Sequence, residues 1–288
     1  MTLLHVILLA IVQGLAELLP VSSSAHVVVA ERLMGLDPTS PQMTLLLVML
    51  HTGTMFAVIA YFWKKWAQTH FKSANSFKRI AIRLIAATVL TIAIGGILVK
   101  LVEKTLFHGA DKAEIEQLFG RLDLIAYALL AAGLLILYAG LKERKALKTN
   151  ERERELTMSQ SAWIGAVQGL CLPFRGFSRS GATISTGMLT GVARTTAETF
   201  SFALAVIITP LAIAREALRL LHATHADPTL SLSSSMTYSL LGAVFAFLAG
   251  LVALKWLSSW LEAGRWYLFG IYCLAASIAV FFLHHRGY

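Results

Sequence analysis

Residues 12–26 read VQGLAELLPVSSSAH, and residues 167–183 read VQGLCLPFRGFSRSGAT. The same four letters recur, starting at 12 and at 167, and each copy runs into a proline, a group of serines and the only charges of its neighbourhood. Around the first copy, from Met1 to Ala30, Glu17 is the only acid and there is no Lys or Arg; around the second, from 156 to 193, Arg175 and Arg179 are the only charges. Charges this sparse need an explanation from the chain that surrounds them.

That chain is 57% hydrophobic and only 14% charged, with a mean hydropathy of +0.68. Soluble domains average about half apolar and about a quarter charged, so this composition reads as an integral membrane protein. The formal charge of +9 comes from Lys and Arg in short loops between apolar runs. There they report topology and imply no nucleic acid partner. Cys171 and Cys273 lie inside apolar stretches without pairing or metal-type spacing and read as small buried hydrophobes. The N-terminus lacks a basic n-region and an A-x-A-like cleavage site, so it is expected to be retained.

A helix that spans a membrane needs about 20 mostly apolar residues. Six stretches qualify: 43–63, 80–102, 123–142, 199–220, 236–257 and 266–284. Four shorter pieces, 3–19, 25–35, 162–172 and 182–192, flank the two motifs in pairs, with Pro20 or Pro173 and serines at the break. Each pair is predicted to be a re-entrant helical hairpin that enters and leaves on one side. Non-helical backbone at membrane depth survives only where protein or a cavity surrounds it, so both hairpins are functional candidates. Three spans separate them, an odd number, so the second enters from the opposite face. The expected fold is therefore all-α and integral to the membrane. One domain over 1–288 combines six transmembrane helices and two re-entrant hairpins in an inverted-topology repeat of about 1–142 and 156–285. GRLDLIAYALLAAG at 120–133 and GRWYLFGIYCLAAS at 264–277 form a second, weaker echo. The basic loops, with Lys64, Lys65, Lys72, Lys78 and Arg79 in one and Lys142, Arg144, Lys145, Lys148, Arg152 and Arg154 in the other, fall on one side, expected to be the cytoplasm. The loops at 103–121 and 221–235 and both termini then face outward.

An isolated charge at a helix centre in the bilayer costs about 2.5–3.5 kcal/mol even on lenient scales, so Glu17, Arg175 and Arg179 need partners or a ligand. If the hairpin tips meet, they gather Glu17, both arginines, His26, Gln13, and the hydroxyls of Ser22, Ser23, Ser24, Ser178, Ser180 and Thr183. That set suits a polyanion with a divalent cation. Gln13 and Glu17 lie one helical turn apart on one face, and a hard cation, Mg²⁺ or Ca²⁺, takes oxygens of this kind together with phosphate oxygens. A bare Glu17–Arg179 ion pair is the alternative, although such a pair rarely repays its desolvation. RGFSRSGAT lacks the ending of a P-loop, and its G-x-S-x-x-G is one residue longer than a nucleophile elbow. What it offers is close backbone approach at Gly176 and Gly181, a guanidinium fork at Arg179 and a helix N-terminus. The three serines of SLSSSMT at 231–237 have no charge beside them, so serines alone mean little. His26 lies three residues after Ser23 and two after Ser24, close enough for a hydrogen bond in a turn, so a serine activated by His26, or His26 itself, could attack phosphorus. His51, inside a span, and His284 and His285 read as structural.

These residues resemble an undecaprenyl-diphosphatase of the bacitracin-resistance type, over essentially the whole chain. Two signatures carry the resemblance: an (E/Q)xxxE motif running into PVSS-x-x-H, here Gln13 to Glu17 and then PVSSSAH, and a PGxSRSxxT motif, here RGFSRSGAT. The resemblance implies hydrolysis of a long-chain polyprenyl diphosphate to the monophosphate and inorganic phosphate, recycling the lipid carrier of cell-wall synthesis in the bacterial cytoplasmic membrane. It also implies a site open to the outer face, a required divalent metal, and active-site roles for Glu17, Ser23, His26, Ser178, Arg179 and Thr183. On this reading Glu17, Ser23, His26 and Arg179 are catalytic, Ser22, Ser178, Ser180 and Thr183 bind substrate, and Gln13 and Glu17 hold the metal. A homodimer is compatible with it. Arg175 stands where the family has proline, which removes a fixed φ and adds a charge. A transporter or flippase of an anionic lipid is the alternative, because inverted repeats with broken helices also build transporters.

Overall fold

The computed structural model describes residues 2–38, 40–106, 118, 120–146, 156–226, 233–262 and 265–287. In chain order the helices are α1 (Leu3–Leu18), α2 (Ser23–Leu33), α3 (Pro41–Thr69), α4 (Ala74–Leu106), α5 (Leu122–Ala146), α6 (Met158–Cys171), α7 (Arg179–Leu189), α8 (Arg194–Ala226), α9 (Ser233–Glu262) and α10 (Trp266–His285). No strand occurs among the described residues. Six of the helices, α3, α4, α5, α8, α9 and α10, are long and apolar enough to cross a membrane, which makes the chain a multi-pass membrane protein. The other four, of 16, 11, 14 and 11 residues, reach only about 17–24 Å at 1.5 Å per residue, short of a core about 30 Å thick.

Several long helices outrun the apolar stretches that announce them. α3 continues through Lys64 and Lys65 to Thr69, and α4 starts at Ala74, ahead of Lys78 and Arg79. Once a helix is nucleated each further residue adds one backbone bond, and lysine stems lie along apolar surface while their charges reach water. Lys148, Arg152 and Arg154 of the second basic loop lie outside the described residues, as do 107–117, 119 and 227–232 of the expected outer loops.

Lipid tails are as apolar as leucine, so close packing at small residues replaces the hydrophobic drive between helices. α5 lies against α10, where a Cβ on Gly140 would stand 2.5 Å from the Tyr267 nitrogen and one on Gly270 would stand 2.5 Å from the Leu137 nitrogen. α1 packs on α9 and α6 packs on α4, and in both cases the glycine of VQGL is at the contact. A Cβ on Gly14 would lie 2.5 Å from Ala249 Cβ, and one on Gly169 would lie 2.9 Å from the Thr91 carbonyl oxygen. Thr91 Oγ1 also donates to the Gly165 carbonyl at 2.8 Å, tying α4 to α6. α3 packs on both α8 and α9, α4 on α8, and α7 between α5 and α8.

Two sets of polar contacts mark opposite ends of α5. Near its start, Arg32 at the end of α2 donates to the Gly120 carbonyl at 3.4 Å. Near its finish, Lys142 donates to the carbonyl of Leu189, the last residue of α7, at 3.4 Å, and Glu143 pairs with Arg194 at 2.9 Å.

Candidate active site

On α1 the one-turn spacing brings Gln13 and Glu17 together, with Gln13 Nε2 donating to Glu17 Oε2 at 3.2 Å. The chain then breaks at Pro20 and turns through Ser22, which holds φ +69°, the one non-glycine residue in the left-handed region among those described. A side chain is strained there by roughly 1–3 kcal/mol, and the turn is held from α2. His26 Nδ1 donates to the Ser22 carbonyl at 2.7 Å, which leaves Nε2 of the neutral ring to accept from the Tyr272 hydroxyl at 2.6 Å. α2 begins immediately afterwards, and the hydroxyl of its first residue, Ser23, donates to Glu17 Oε2 at 2.5 Å.

The second turn is built differently. It passes through Gly176 at φ +102°, where a Cβ would stand 2.6 Å from the Ile125 carbonyl oxygen, so only glycine fits. Ser178 caps α7 by accepting from the Gly181 N–H at 3.2 Å. Arg179, the first residue of α7, reaches across to Glu17, with Nη2 donating to Oε1 at 2.5 Å. Two further bonds join the turns: Ser180 Oγ donates to the Leu19 carbonyl at 3.2 Å, and the Gly176 N–H donates to Ser24 Oγ at 3.3 Å. The two motifs, more than 150 residues apart in sequence, form one polar cluster.

This cluster floors a cavity of about 430 Å³. Glu17, Ser22, Ser23, Ser24, Arg175, Ser178, Arg179 and Ser180 line its polar part, while Leu47 and Val48 of α3, Ile208, Ala212 and Ile213 of α8, and Leu172, Phe174 and Phe177 supply apolar walls. A charged recess next to aliphatic surface suits a ligand that is an anion at one end and a hydrocarbon at the other. Arg179 Nη1 is buried without a hydrogen-bond partner, and so are Gln13 Oε1 and both terminal atoms of Gln168. Buried polar atoms are nearly always paired, so orphans of this kind point to an ion, water or ligand.

The residues singled out from the sequence divide into two groups. Glu17, Ser22, Ser23, Ser178, Arg179 and Ser180 line the cavity, and Gln13 touches it through Glu17. His26 does not line it: its ring stacks on Tyr272 in a groove between α2, α5 and α10, with centroids 5.6 Å apart. Thr183 is fully buried, donates to the Arg179 carbonyl at 2.8 Å and accepts from the Ser201 hydroxyl at 2.6 Å, fastening α7 to α8. Two residues outside the predicted set also border the cavity: His51, expected to be structural, and Gln168 of α6, in the second VQGL copy. His51 of α3 donates from Nδ1 to its own helix at the Leu47 carbonyl and turns Nε2 toward Glu17, 3.8 Å from Oε2.

Fold and site together define a polytopic membrane protein with a charged, partly apolar cavity where the turn after α1 meets the turn after α6. Residues 6–279 match the family described as bacitracin resistance protein BacA. An "Undecaprenyl-diphosphatase 2" of Acinetobacter baylyi is 56% identical over 280 residues, covering 96% of each chain. A protein of the same name from Burkholderia thailandensis is 33% identical over 96% of this chain and 95% of its own. An "Undecaprenyl-diphosphatase" of Gluconacetobacter diazotrophicus is 34% identical over 99% and 98%. The chain belongs to the BacA family.

Proposed function

We propose that this chain is an undecaprenyl-diphosphate phosphatase, which hydrolyses the lipid diphosphate to undecaprenyl monophosphate and inorganic phosphate and so returns the carrier to cell-wall synthesis. The observation that carries the reading is the Glu17–Arg179 contact with Ser23 bonded to the same carboxylate, at the polar end of a cavity with apolar walls. Family membership and the relatives' names support it.

Arg179 anchors the terminal phosphate through its unpartnered Nη1, with Ser178, Ser180 and the N–H groups opening α7 as further donors. Glu17 accepts the Ser23 hydrogen and aims Oγ. Ser23 Oγ attacks the terminal phosphorus as its proton passes to Glu17, the bond from that phosphorus to the bridging oxygen breaks, and undecaprenyl monophosphate leaves. Water then hydrolyses the phosphoserine, releasing inorganic phosphate and restoring Ser23. His26 serves this step through the Ser22 turn, and Thr183 through the α7–α8 contact.

The donor set fits a hard cation. Glu17 and the orphaned Gln13 Oε1 are oxygens one turn apart that would hold it, and since no group of three His, Cys, Asp or Glu stands ready among the described residues, the remaining ligands would come from phosphate and water. Mg²⁺ or Ca²⁺ bound there supplies neutralisation of the charge that develops on the phosphate oxygens.

The same proposal includes the membrane arrangement: α1–α2 and α6–α7 are re-entrant hairpins entering from opposite faces, within one domain whose inverted repeats are about 1–142 and 156–285. Its supports are the short lengths of these helices, their ends at opposite termini of α5, and the paired packing of α1 on α9 and α6 on α4. The basic loops face the cytoplasm and the site opens outward. A homodimer is part of the proposal too, to be read from the mass of the detergent-purified protein.

The test is phosphate release from undecaprenyl diphosphate by the detergent-purified chain, before EDTA, after it, and after Mg²⁺ or Ca²⁺ is restored. Release that EDTA stops and the cation restores is expected. No release under any condition, with transport of the lipid in vesicles instead, overturns the reading in favour of a flippase.

A further inference from the structure

The second VQGL copy carries a glutamine that the phosphatase reading leaves without a task. Gln168 is fully buried, yet it borders the cavity, and neither its Nε2 nor its Oε1 has a hydrogen-bond partner. Its counterpart Gln13 spends its amide on Glu17, four residues on. Four residues after Gln168 stands Leu172, which accepts nothing, so the second amide remains available. Its direction is fixed by the helix that bears it. A Cβ on Gly165 would lie 2.3 Å from the Ala87 carbonyl oxygen and one on Gly169 would lie 2.9 Å from that of Thr91, and this close seating on α4 sets the rotation of α6.

Two unsatisfied polar atoms on one buried side chain are costly, and an apolar side chain of similar shape in their place is often neutral or stabilising. A side chain kept against that gradient is expected where a ligand repays it. Among the buried side-chain nitrogens of the described residues, the other donor that borders this cavity without a partner is Arg179 Nη1, so the ligand that both would satisfy is an oxyanion.

We propose that Gln168 is a diphosphate-binding residue: its amide N–H₂ donates to a phosphoryl oxygen beside the one held by Arg179, while its carbonyl accepts from a phosphate hydroxyl or a bound water. The proposal rests on the phosphatase reading for the identity of the natural ligand, and on the cavity alone for the oxyanion. It also accounts for the repeated motif. One glutamine serves the acid of its own helix, and the other serves the substrate.

The probe is inorganic pyrophosphate, titrated calorimetrically into the full-length, detergent-purified chain, with melting temperature recorded with and without it. Gln168→Met removes both polar atoms at nearly constant volume, and Gln168→Asn withdraws the amide by one methylene. Gln168→Met is expected to weaken pyrophosphate binding by about tenfold, as for one lost hydrogen bond to a charged group, and to raise KM for the lipid diphosphate similarly with little change in kcat. The melting temperature without ligand should hold or rise, while the stabilisation conferred by pyrophosphate shrinks; Gln168→Asn should fall between. Pyrophosphate affinity within twofold of the parent in Gln168→Met overturns the proposal, and so does a large drop in melting temperature in both variants, since Gln168 would then be a packing residue. If the parent chain binds pyrophosphate, the variant loses it, and no phosphate is ever released from lipid, the phosphatase reading fails while the role of Gln168 stands.

Discussion

The two copies of VQGL share a scaffold and divide the chemistry. In both, a glycine seats a short helix on a long one, α1 on α9 and α6 on α4. Beyond that they diverge. The first copy supplies the carboxylate and a strained serine turn pinned by His26, whereas the second supplies the guanidinium and a turn whose strain glycine removes. The two copies therefore offer similar packing surfaces with different polar groups. Here one carries Glu17 and the other, at the matching place, Leu172.

The sharpest way to break this division is at the carboxylate. Glu17→Gln removes the group proposed to accept the Ser23 proton, a contribution of about two to four powers of ten, so kcat/KM for phosphate release should fall by about that much. Gln13→Glu, which adds an oxygen ligand on the same face, should be tolerated. Near-normal turnover in Glu17→Gln, with metal dependence intact, would remove Glu17 from the site.

The basic half is probed by Arg179→Lys, which keeps charge and loses the fork that binds two oxygens. One lost charge-assisted bond of about 1.5–3 kcal/mol predicts a ten- to hundredfold fall in kcat/KM. Arg175→Lys should cost much less. A silent Arg179→Lys beside a crippled Arg175→Lys would assign the phosphate clamp to the other arginine.

The shared scaffold predicts similar penalties in the two halves. Gly14→Ala and Gly169→Ala each force a Cβ against a packed neighbour and should destabilise by about 1–3 kcal/mol, seen as a lowered melting temperature. Gly96→Ala, where nothing stands within 4 Å, is the control and should leave it unchanged. A penalty in one half alone would mean that the halves do not pack alike. The smallest effect expected is Tyr272→Phe, which keeps the ring against His26 and removes one hydroxyl. A loss of about 1 kcal/mol, roughly fivefold in kcat, should appear without a change in KM, because the strained Ser22 turn aims Ser23 and binds no substrate through His26.

Composition and spacing carry much of this molecule. The six spans are legible because a bilayer demands apolar length, and the helices contain the expected stretches, with polar extensions that hydropathy does not register because backbone bonding continues past the lipid. Meeting of the two motifs is legible from the isolated charges, since neither Glu17 nor Arg179 is stable in lipid alone. Side-chain direction is not. His26 sits close to Ser23 in sequence, yet α2 turns its ring to the far side, toward a tyrosine 246 residues away. Thr183 belongs to a recognisable motif but faces α8. His51 lies in an unremarkable apolar run, and its nearness to Glu17 comes from the packing of α3 on α1. The one available signal was the repetition of Gln13 at Gln168 without the acid that follows it.

The Glu17–Arg179 bond spans 162 residues of chain, and this sets a clock on biogenesis. At roughly 5–20 residues per second of synthesis, the guanidinium is made about 8–32 s after the carboxylate. Throughout that interval the first half contains a carboxylate whose fixed positive partner does not yet exist. The contact that joins α1 to α7 therefore cannot close until α7 has been made.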